Sequence, residues 1–183
     1  RALVERCTHL ECWAVSPQAM AALSQRDESQ GLAAVVRIVE RETEEIPLTE
    51  GLFVLVAYQL RDPGNLGTII RTADAVGATG VLIVEPTVDL YDPQTVRATM
   101  GSLYALPIVR LREEAALPRW CAQVRAQGLP LQVIGSSAHG ERLHYDLDYR
   151  GPLALLLGPE REGLSEAARA LCDAIVRLPM VGR

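Results

Sequence analysis

The sequence contains no lysine, no CxxC pair of cysteines and no apolar run long enough to cross a membrane. All 18 of its basic residues are arginine. Its longest apolar stretches, such as residues 153–157, are much shorter than the roughly 20 residues that a membrane-spanning helix needs. No signal-peptide pattern is found. The shortness of the apolar runs argues against a membrane protein.

Cysteine is sparse and scattered. The four cysteines are Cys7, Cys12, Cys121 and Cys172. None of them has companion histidines at the spacing of a metal site. This pattern predicts reduced, structural thiols in a cytoplasmic protein, rather than a disulfide framework or a zinc site. We therefore expect no bound metal.

The net charge of −5 argues mildly against a nucleic-acid partner. The exclusive use of arginine softens that objection, because arginine pairs well with phosphate. A GC-rich genome would explain the same composition. Net charge therefore does not decide the partner, while 49% hydrophobic and 22% charged residues indicate a soluble globular protein with a sizeable core.

The first part of the chain differs from the rest, and we predict a domain boundary after residue 48. Ser16 and Pro17 open a helical stretch, and residues 32–39 form a strand-like run. The acidic segment 40–51 is the best candidate for a linker. Because the chain starts at Arg1 and this piece has few elements, residues 1–48 are interpreted as part of a small α/β domain that begins upstream.

From Leu52 onward, apolar runs alternate with helical patterns. The predicted strands are 52–58, 81–84, 106–109, 131–134, 153–157 and 175–178, and the predicted helices are 66–76, 93–102, 118–127 and 165–172. Apolar strands separated by helices predict an α/β fold, with a mostly parallel sheet covered by helices on both faces.

The most informative stretch is residues 62–71, where a Pro-Gly-Asn turn links a predicted buried strand to a helix. Open α/β sheets bind ligands at such turns, because free backbone N–H groups meet the carboxyl end of a strand there. Arg71 lies about one and a half turns into the helix, within reach of the turn. A cation at this place suggests an anionic or phosphate-bearing substrate.

A second glycine-framed loop, residues 157–165, also follows a buried strand. It has neither the GxGxxG of dinucleotide sites nor the Gly-Lys-Ser/Thr of a P-loop. Glu160 and Glu162 would repel a phosphate and suit a cationic or hydroxyl-bearing ligand, although the loop could also be a purely structural turn. The chain then ends on a third turn signal, Pro179-Met180-Val181-Gly182.

In this order and spacing, the three loops resemble the motifs of the trefoil-knotted SPOUT methyltransferases, specifically the SpoU/TrmH branch. The resemblance covers residues 50–183. Asn65 and Arg71 match the asparagine and arginine of the first motif, and residues 97–102 are similar to the segment between the first two motifs. Residues 1–48 look like the latter half of an L30e-like RNA-binding domain.

The resemblance implies a homodimer that transfers a methyl group from S-adenosyl-L-methionine to a ribose 2′-hydroxyl of structured RNA, with ribosomal RNA favoured over transfer RNA. The implied catalytic residues are Arg71, Asn65 and Glu160, and the implied cofactor-binding residues are Leu157, Gly158, Leu178, Met180 and Ser136. Glu160 would hold Arg71 or a group of the partner subunit. A guanidinium with a pKa above about 12 is better suited to stabilise an alkoxide than to act as a base.

Two features remain open at this point. Base methylation by the same fold and a non-catalytic RNA-binding role are the alternatives to ribose methylation. The family's third motif continues into a helix that completes the knot, whereas this sequence stops at Arg183. We therefore expect an incomplete C-terminal knot in this chain and a longer full protein.

Overall fold

The computed structural model describes residues 10–24 and 31–180, and the chain divides into two compact units, Arg1–Val39 and Glu40–Arg183. In the first unit, helix α1 (Pro17–Ser24) begins where the sequence predicts. Ser16 is its cap, because the Ser16 hydroxyl accepts a hydrogen bond from the Ala19 N–H at 3.2 Å.

The predicted strand at residues 32–39 is wrong. These residues have no regular secondary structure, and their apolar side chains, Val35 among them, are exposed. A valine-rich run becomes a strand only when another strand pairs with it, and the described residues of this unit supply none.

The chain divides into its two compact units between Val39 and Glu40, whereas the domain boundary after residue 48 stays a prediction. Residues 40–48, predicted as linker, contain a short 3-10 helix (Thr43–Glu45), and Ile46 is only 1% exposed. Leu48 packs against the same core, and the Glu40 carboxylate accepts hydrogen bonds from Arg112 at 2.7 and 2.8 Å. The acidic composition suggested a linker, but the apolar residues between the acids anchor the segment. The L30e-like assignment of residues 1–48 stays a prediction.

The second unit is built on a parallel sheet, as the sequence predicts. Its strands are β1 (Phe53–Tyr58), β2 (Gly80–Val84), β3 (Ile108–Leu111), β4 (Gln132–Ser136), β5 (Arg142–Leu143), β6 (Leu153–Leu157) and β7 (Ala174–Arg177). Their order is β3-β2-β1-β6-β4-β7-β5, and every pair is parallel. The two-residue β5 was not predicted, because so short a strand leaves no hydrophobic period to detect.

Helices α2 (Pro63–Ala75), α3 (Pro93–Ala98), α4 (Ala116–Ala126) and α5 (Glu166–Leu171) connect these strands. Leu66 and Ile70 of α2 pack on one face of the sheet, while Trp120 of α4 and Ala168 of α5 pack on the other. The predicted coverage of both faces is confirmed. The predicted helix 93–102 is interrupted after α3, where Met100 and Gly101 have positive φ angles of 52° and 101°. The C-terminal trefoil knot stays a prediction.

The order of strands creates a crevice at the centre of the sheet. β1 connects through α2 to β2 on one side, whereas its neighbour β6 connects through α5 to β7 on the other side. The loops that follow β1 and β6 therefore diverge at the carboxyl ends of adjacent strands. This is the topological switch point at which open α/β sheets bind ligands. Within the described residues, no helix is long and apolar enough to cross a membrane.

Candidate active site

The loop after β1 is fixed by a helix cap. Asp62 precedes Pro63, the first residue of α2, and its side chain accepts a hydrogen bond from the Asn65 N–H at 2.7 Å. The helix thus starts three residues before the predicted residue 66, because Asp-Pro serves as cap and first turn. The cap holds Asn65 in the first turn of α2, half-buried, above the end of β1.

The loop after β6 folds back on itself. A Cβ at Gly158 would lie 3.0 Å from both the Gly163 carbonyl carbon and Leu164 Cδ2, so that position has little room for a larger residue. The Pro159 carbonyl accepts a hydrogen bond from the Gly163 N–H at 2.9 Å, and Gly163 has a φ of 68°. This tight loop places Glu160 at its exposed tip.

Two contacts join the loops across the crevice. Asn65 Nδ2 donates a hydrogen bond to Glu160 Oε1 at 2.9 Å, and Arg61 Nη1 lies 2.9 Å from Glu162 Oε1. Between the loops is a cleft of about 540 Å³, lined by Leu60, Arg61, Asp62, Asn65, Thr68, Ile69 and residues 157–162. The structure thus brings together four of the predicted site residues: Asn65, Glu160, Leu157 and Gly158.

Arg71 is placed differently. It is exposed on α2 and does not line the cleft. Six positions after Asn65, it points about 240° around the helix from that residue, since successive residues are about 100° apart. Within the described part of the chain, Arg71 has no hydrogen-bond or ion-pair partner, and Glu160 accepts its hydrogen bond from Asn65 instead. The guanidinium is therefore free to meet a ligand at the exposed surface of α2.

The predicted cofactor-binding residues gather at the carboxyl ends of three neighbouring strands. Ser136 of β4 is in register with Leu157 of β6 and with Val176 of β7. Leu178 and Met180 follow β7, and their side chains are 60% and 83% exposed. Ser136, Leu157 and Gly158 thus lie on one edge of the sheet, and two uncovered apolar side chains follow the adjacent strand.

The loop after β4 closes over the end of β7. The Ser137 N–H donates to the Val176 carbonyl at 2.9 Å, and a Cβ at Gly140 would lie only 2.5 Å from the Val176 carbonyl carbon. Glycine is required there, because the two backbones are in direct contact. This contact fixes the strand end from which Leu178 continues.

Sequence reasoning missed the ion pair between Arg61 and Glu162 and the cleft residues Thr68 and Ile69. The two charges stand in different loops, and only the adjacency of β1 and β6 relates them. A signal was available for Thr68 and Ile69, because residues three and four positions after Asn65 share its face of a helix. Among the described residues, no group of three potential ligands is arranged to hold a metal ion.

Comparison with known proteins gives a consistent result. A family model described as the SpoU rRNA Methylase family matches residues 52–183. The 23S rRNA (uridine(2479)-2′-O)-methyltransferase of Streptomyces viridochromogenes is 36% identical over 178 residues, which are 97% of this chain and 62% of that protein. The 23S rRNA (guanosine(2553)-2′-O)-methyltransferase RlmP of Bacillus subtilis is 30% identical over 176 residues, or 96% of this chain and 66% of that protein.

The crystal structure of the SpoU methyltransferase AviRb from Streptomyces viridochromogenes in complex with the cofactor AdoMet superposes with a TM-score of 0.91 at 36% identity. That comparison covers 99% of this chain and 69% of the AviRb chain. The AdoMet-bound rRNA methyltransferase of Sinorhizobium meliloti gives a TM-score of 0.83 at 34% identity, covering 92% of this chain and 62% of that one. The chain spans slightly less than two thirds of the length of these two curated relatives.

Proposed function

Because this chain belongs to the SpoU rRNA methylase family, we propose that it transfers a methyl group from S-adenosyl-L-methionine to a ribose 2′-hydroxyl of RNA. The observation that carries this proposal is the hydrogen bond between Asn65 and Glu160 at the switch point of the sheet. It presents an amide and a carboxylate in a cleft beside a glycine-framed loop. Such a pair suits a hydroxyl-bearing ligand, whereas the carboxylates of Glu160 and Glu162 disfavour a phosphate in the same position.

The residues at the carboxyl ends of β4, β6 and β7 fit S-adenosyl-L-methionine. When bound, this cofactor supplies a methyl group that is electrophilic because it is attached to a sulfonium. Leu157 and Gly158 would contribute backbone groups, and Leu178 and Met180 would contribute apolar surface for the adenine. The exposure of both these side chains supports that role, since bound adenine would cover them. Ser136 would donate or accept one hydrogen bond from the neighbouring strand end.

Arg71 is proposed as the catalytic residue, with Asn65 and Glu160 orienting the ribose. A guanidinium stays protonated at neutral pH, so Arg71 would stabilise negative charge on the 2′-oxygen and contact the adjacent phosphate. Its exposure on α2, without a protein partner in the described residues, supports a role in contacting RNA. Asn65 and Glu160 would hydrogen-bond the ribose from inside the cleft.

We propose ribosomal RNA as the substrate, a homodimer as the active form and the cytoplasm as its location. The names of two relatives specify 2′-O-methylation of 23S rRNA, which supports an RNA substrate of that class. The sequence resemblance supports the homodimer.

The test is a transfer assay with methyl-labelled S-adenosyl-L-methionine and with ribosomal and transfer RNA in separate reactions, each digested to nucleosides. Label in a 2′-O-methyl nucleoside is expected in the ribosomal RNA reaction. Label in a modified base would replace the proposal with base methylation. An absence of label in both reactions, with cofactor binding measured by calorimetry, would favour a non-catalytic RNA-binding role.

A further inference from the structure

Tyr58 is a buried polar residue next to the site that the proposed chemistry does not use. It is the last residue of β1, and its side chain is 1% exposed. The ring packs among residues of α4 and α5, on the face of the sheet opposite to α2. The Tyr58 side chain therefore lies on the opposite face of the sheet from α2, whose first turns line the cleft.

The Tyr58 hydroxyl belongs to a three-residue hydrogen-bond network. It donates to Glu114 Oε1, just before α4, and lies 2.7 Å from Ser165 Oγ. Ser165 Oγ donates to the same Glu114 oxygen at 2.9 Å and accepts the Ala168 N–H at 3.1 Å, which makes it the cap of α5. One carboxylate oxygen thus binds hydroxyls from the end of β1 and from the start of α5.

Burial, with the hydrogen bond to Glu114 as the second cause, raises the pKa of Tyr58 above its usual value of 10.0. The phenol therefore keeps its proton at neutral pH and remains a donor. Two donors directed at one ionised carboxylate make charge-assisted hydrogen bonds, which are stronger than neutral ones.

Tyr58 is connected to both loops of the cleft. Its backbone leads directly into the loop after β1, where Gln59 turns the chain with a φ of 50°. Its side chain is linked to Ser165, which ends the loop after β6, through Glu114 Oε1, which accepts a hydrogen bond from both hydroxyls. The buried neighbour Leu164 packs against Gly158 at the other end of that loop. A shift of Ser165 would therefore move the segment that carries Glu160.

We propose that Tyr58 is a positioning residue that holds the 158–165 loop where Glu160 reaches Asn65 and where Gly158 borders the cofactor site. The catalytic consequence of this inference rests on the proposed function, whereas the position of the loop can be tested without it. Tyr58 acts through Glu114 and Ser165 and touches neither ribose nor cofactor.

The first test compares Tyr58→Phe with Tyr149→Phe in the purified protein. Tyr149 is a matched control, because its hydroxyl also donates a hydrogen bond, to the His144 carbonyl at 2.6 Å, and the same oxygen is removed. In Tyr58→Phe, amide hydrogen exchange of residues 158–165 should accelerate by about tenfold, since one strong hydrogen bond is lost. Tyr149→Phe should leave exchange in that loop unchanged. Unchanged exchange in Tyr58→Phe would overturn the inference, whether or not the protein methylates RNA.

The second test is a double-mutant cycle on kcat/KM for methyl transfer. Tyr58→Phe should lower kcat/KM by about tenfold in the wild-type background and by less than about twofold in Glu160→Ala, because the loop then lacks the carboxylate that contacts Asn65. Equal losses in both backgrounds would assign Tyr58 a general structural role and refute positioning. Glu114→Ala, a change at an exposed residue, should reproduce the loss. A wild-type protein without transferase activity would refute the proposed function and leave the exchange result decisive for Tyr58.

Discussion

Arg71 and Asn65 belong to the same helix but face different surroundings. Asn65 is held by the Asp62 cap and by Glu160, whereas Arg71 is exposed without a protein partner in the described residues. The distinction fits a division of roles, in which the fixed residue orients the ligand and the unrestrained cation meets negative charge. Each role predicts a different kinetic effect.

Arg71→Ala is expected to lower kcat by a factor of about 10² to 10³, the usual cost of removing one group that stabilises an oxyanion. The affinity for S-adenosyl-L-methionine should change by less than about twofold, because Arg71 does not line the cleft. Transfer kinetics and calorimetry measure the two effects. Arg119→Ala, which removes another exposed arginine, is the control and should retain activity. Normal turnover by Arg71→Ala would contradict the assigned role.

We expect a loss of stability at alkaline pH from the raised pKa values of two cysteines. Burial raises the pKa of both Cys121 and Cys172 from 9.0 to about 11. Above pH 9 the unfolded chain ionises these thiols while the folded protein keeps them protonated. The contribution of the two thiols to the free energy of unfolding is therefore fully present below pH 9. It is lost as the pH rises to about 11, by at most about 1.4 kcal/mol per pH unit for each thiol.

Urea unfolding at pH 8 and pH 10 tests this expectation. The Cys121→Ala/Cys172→Ala variant is less stable at pH 8, because it creates a cavity, but its free energy of unfolding should decline less between the two pH values. Cys12→Ala, at an exposed position, should keep the wild-type decline. An identical decline in the double variant would show that other groups cause the pH dependence.

At the scale of elements, α2 is placed by close contact with α3. A Cβ at Gly67 would lie 2.5 Å from Ala98 Cβ and 2.6 Å from the Thr95 carbonyl oxygen. Glycine thus allows the two helices to approach more closely than any other residue would. Arg71 lies one turn later on the same side of α2, so this packing also sets where the guanidinium emerges.

Gly67→Ala is expected to destabilise the protein by about 1–3 kcal/mol, because backbone atoms must move to admit the methyl group. Helix propensity favours alanine by roughly 1 kcal/mol, but approaches of 2.5 and 2.6 Å require a strain near the upper end of that range, so a net loss of stability remains. Thermal unfolding gives the measurement. Gly51→Ala, whose new methyl group would meet its nearest neighbour at 3.8 Å, should be close to neutral. A Gly67→Ala protein as stable as wild type would contradict the observed packing.

The elements also indicate what the sequence can predict. The apolar run at 153–157 gave β6 with its observed bounds, because a buried strand must be apolar throughout. The run at 32–39 has a similar composition but is not a strand, since strand formation depends on a partner that composition does not encode. Helix α2 began earlier than predicted, because its first turn contains cap residues rather than core residues.

The candidate site shows the same difference between local patterns, which the sequence reveals, and contacts between distant segments, which it does not. Asn65, Gly158 and Glu160 were predicted because their loops resemble family motifs, each of which lies within a single loop. The Arg61–Glu162 pair and the network of Tyr58 with Ser165 were not predicted, because they join segments that only the strand order brings together. Local chemistry was readable from the sequence, whereas contacts between loops required the topology.

At the scale of the molecule, a net charge of −5 means that the proposed RNA substrate must be attracted locally. Arg61 is paired with Glu162, whereas the exposed Arg161 and Arg71 have no ion-pair partner in the described residues, so about two phosphates can be neutralised by these two arginines. The slope of log KM for RNA against log salt concentration should then be about 1.4, since each phosphate of a single strand contributes roughly 0.7.

Arg161→Gln should reduce that slope by about 0.7, and Arg119→Gln should leave it unchanged. Transfer rates measured between roughly 50 and 200 mM salt provide the comparison. A slope that stays the same in Arg161→Gln would exclude this residue from the phosphate contacts.

The contact between Asn65 and Glu160 spans 95 positions of the chain. During synthesis, β1, β2 and β3 can assemble as successive neighbours as soon as they emerge, because their pairings are sequential. The cleft forms later, because β6 is synthesised after β2, β3, β4 and β5 and only then can pair with β1. Loop closure over such a separation is slow, so the cleft is among the last of the described parts to form, and a nascent chain that already carries the first half of the sheet still lacks the candidate active site.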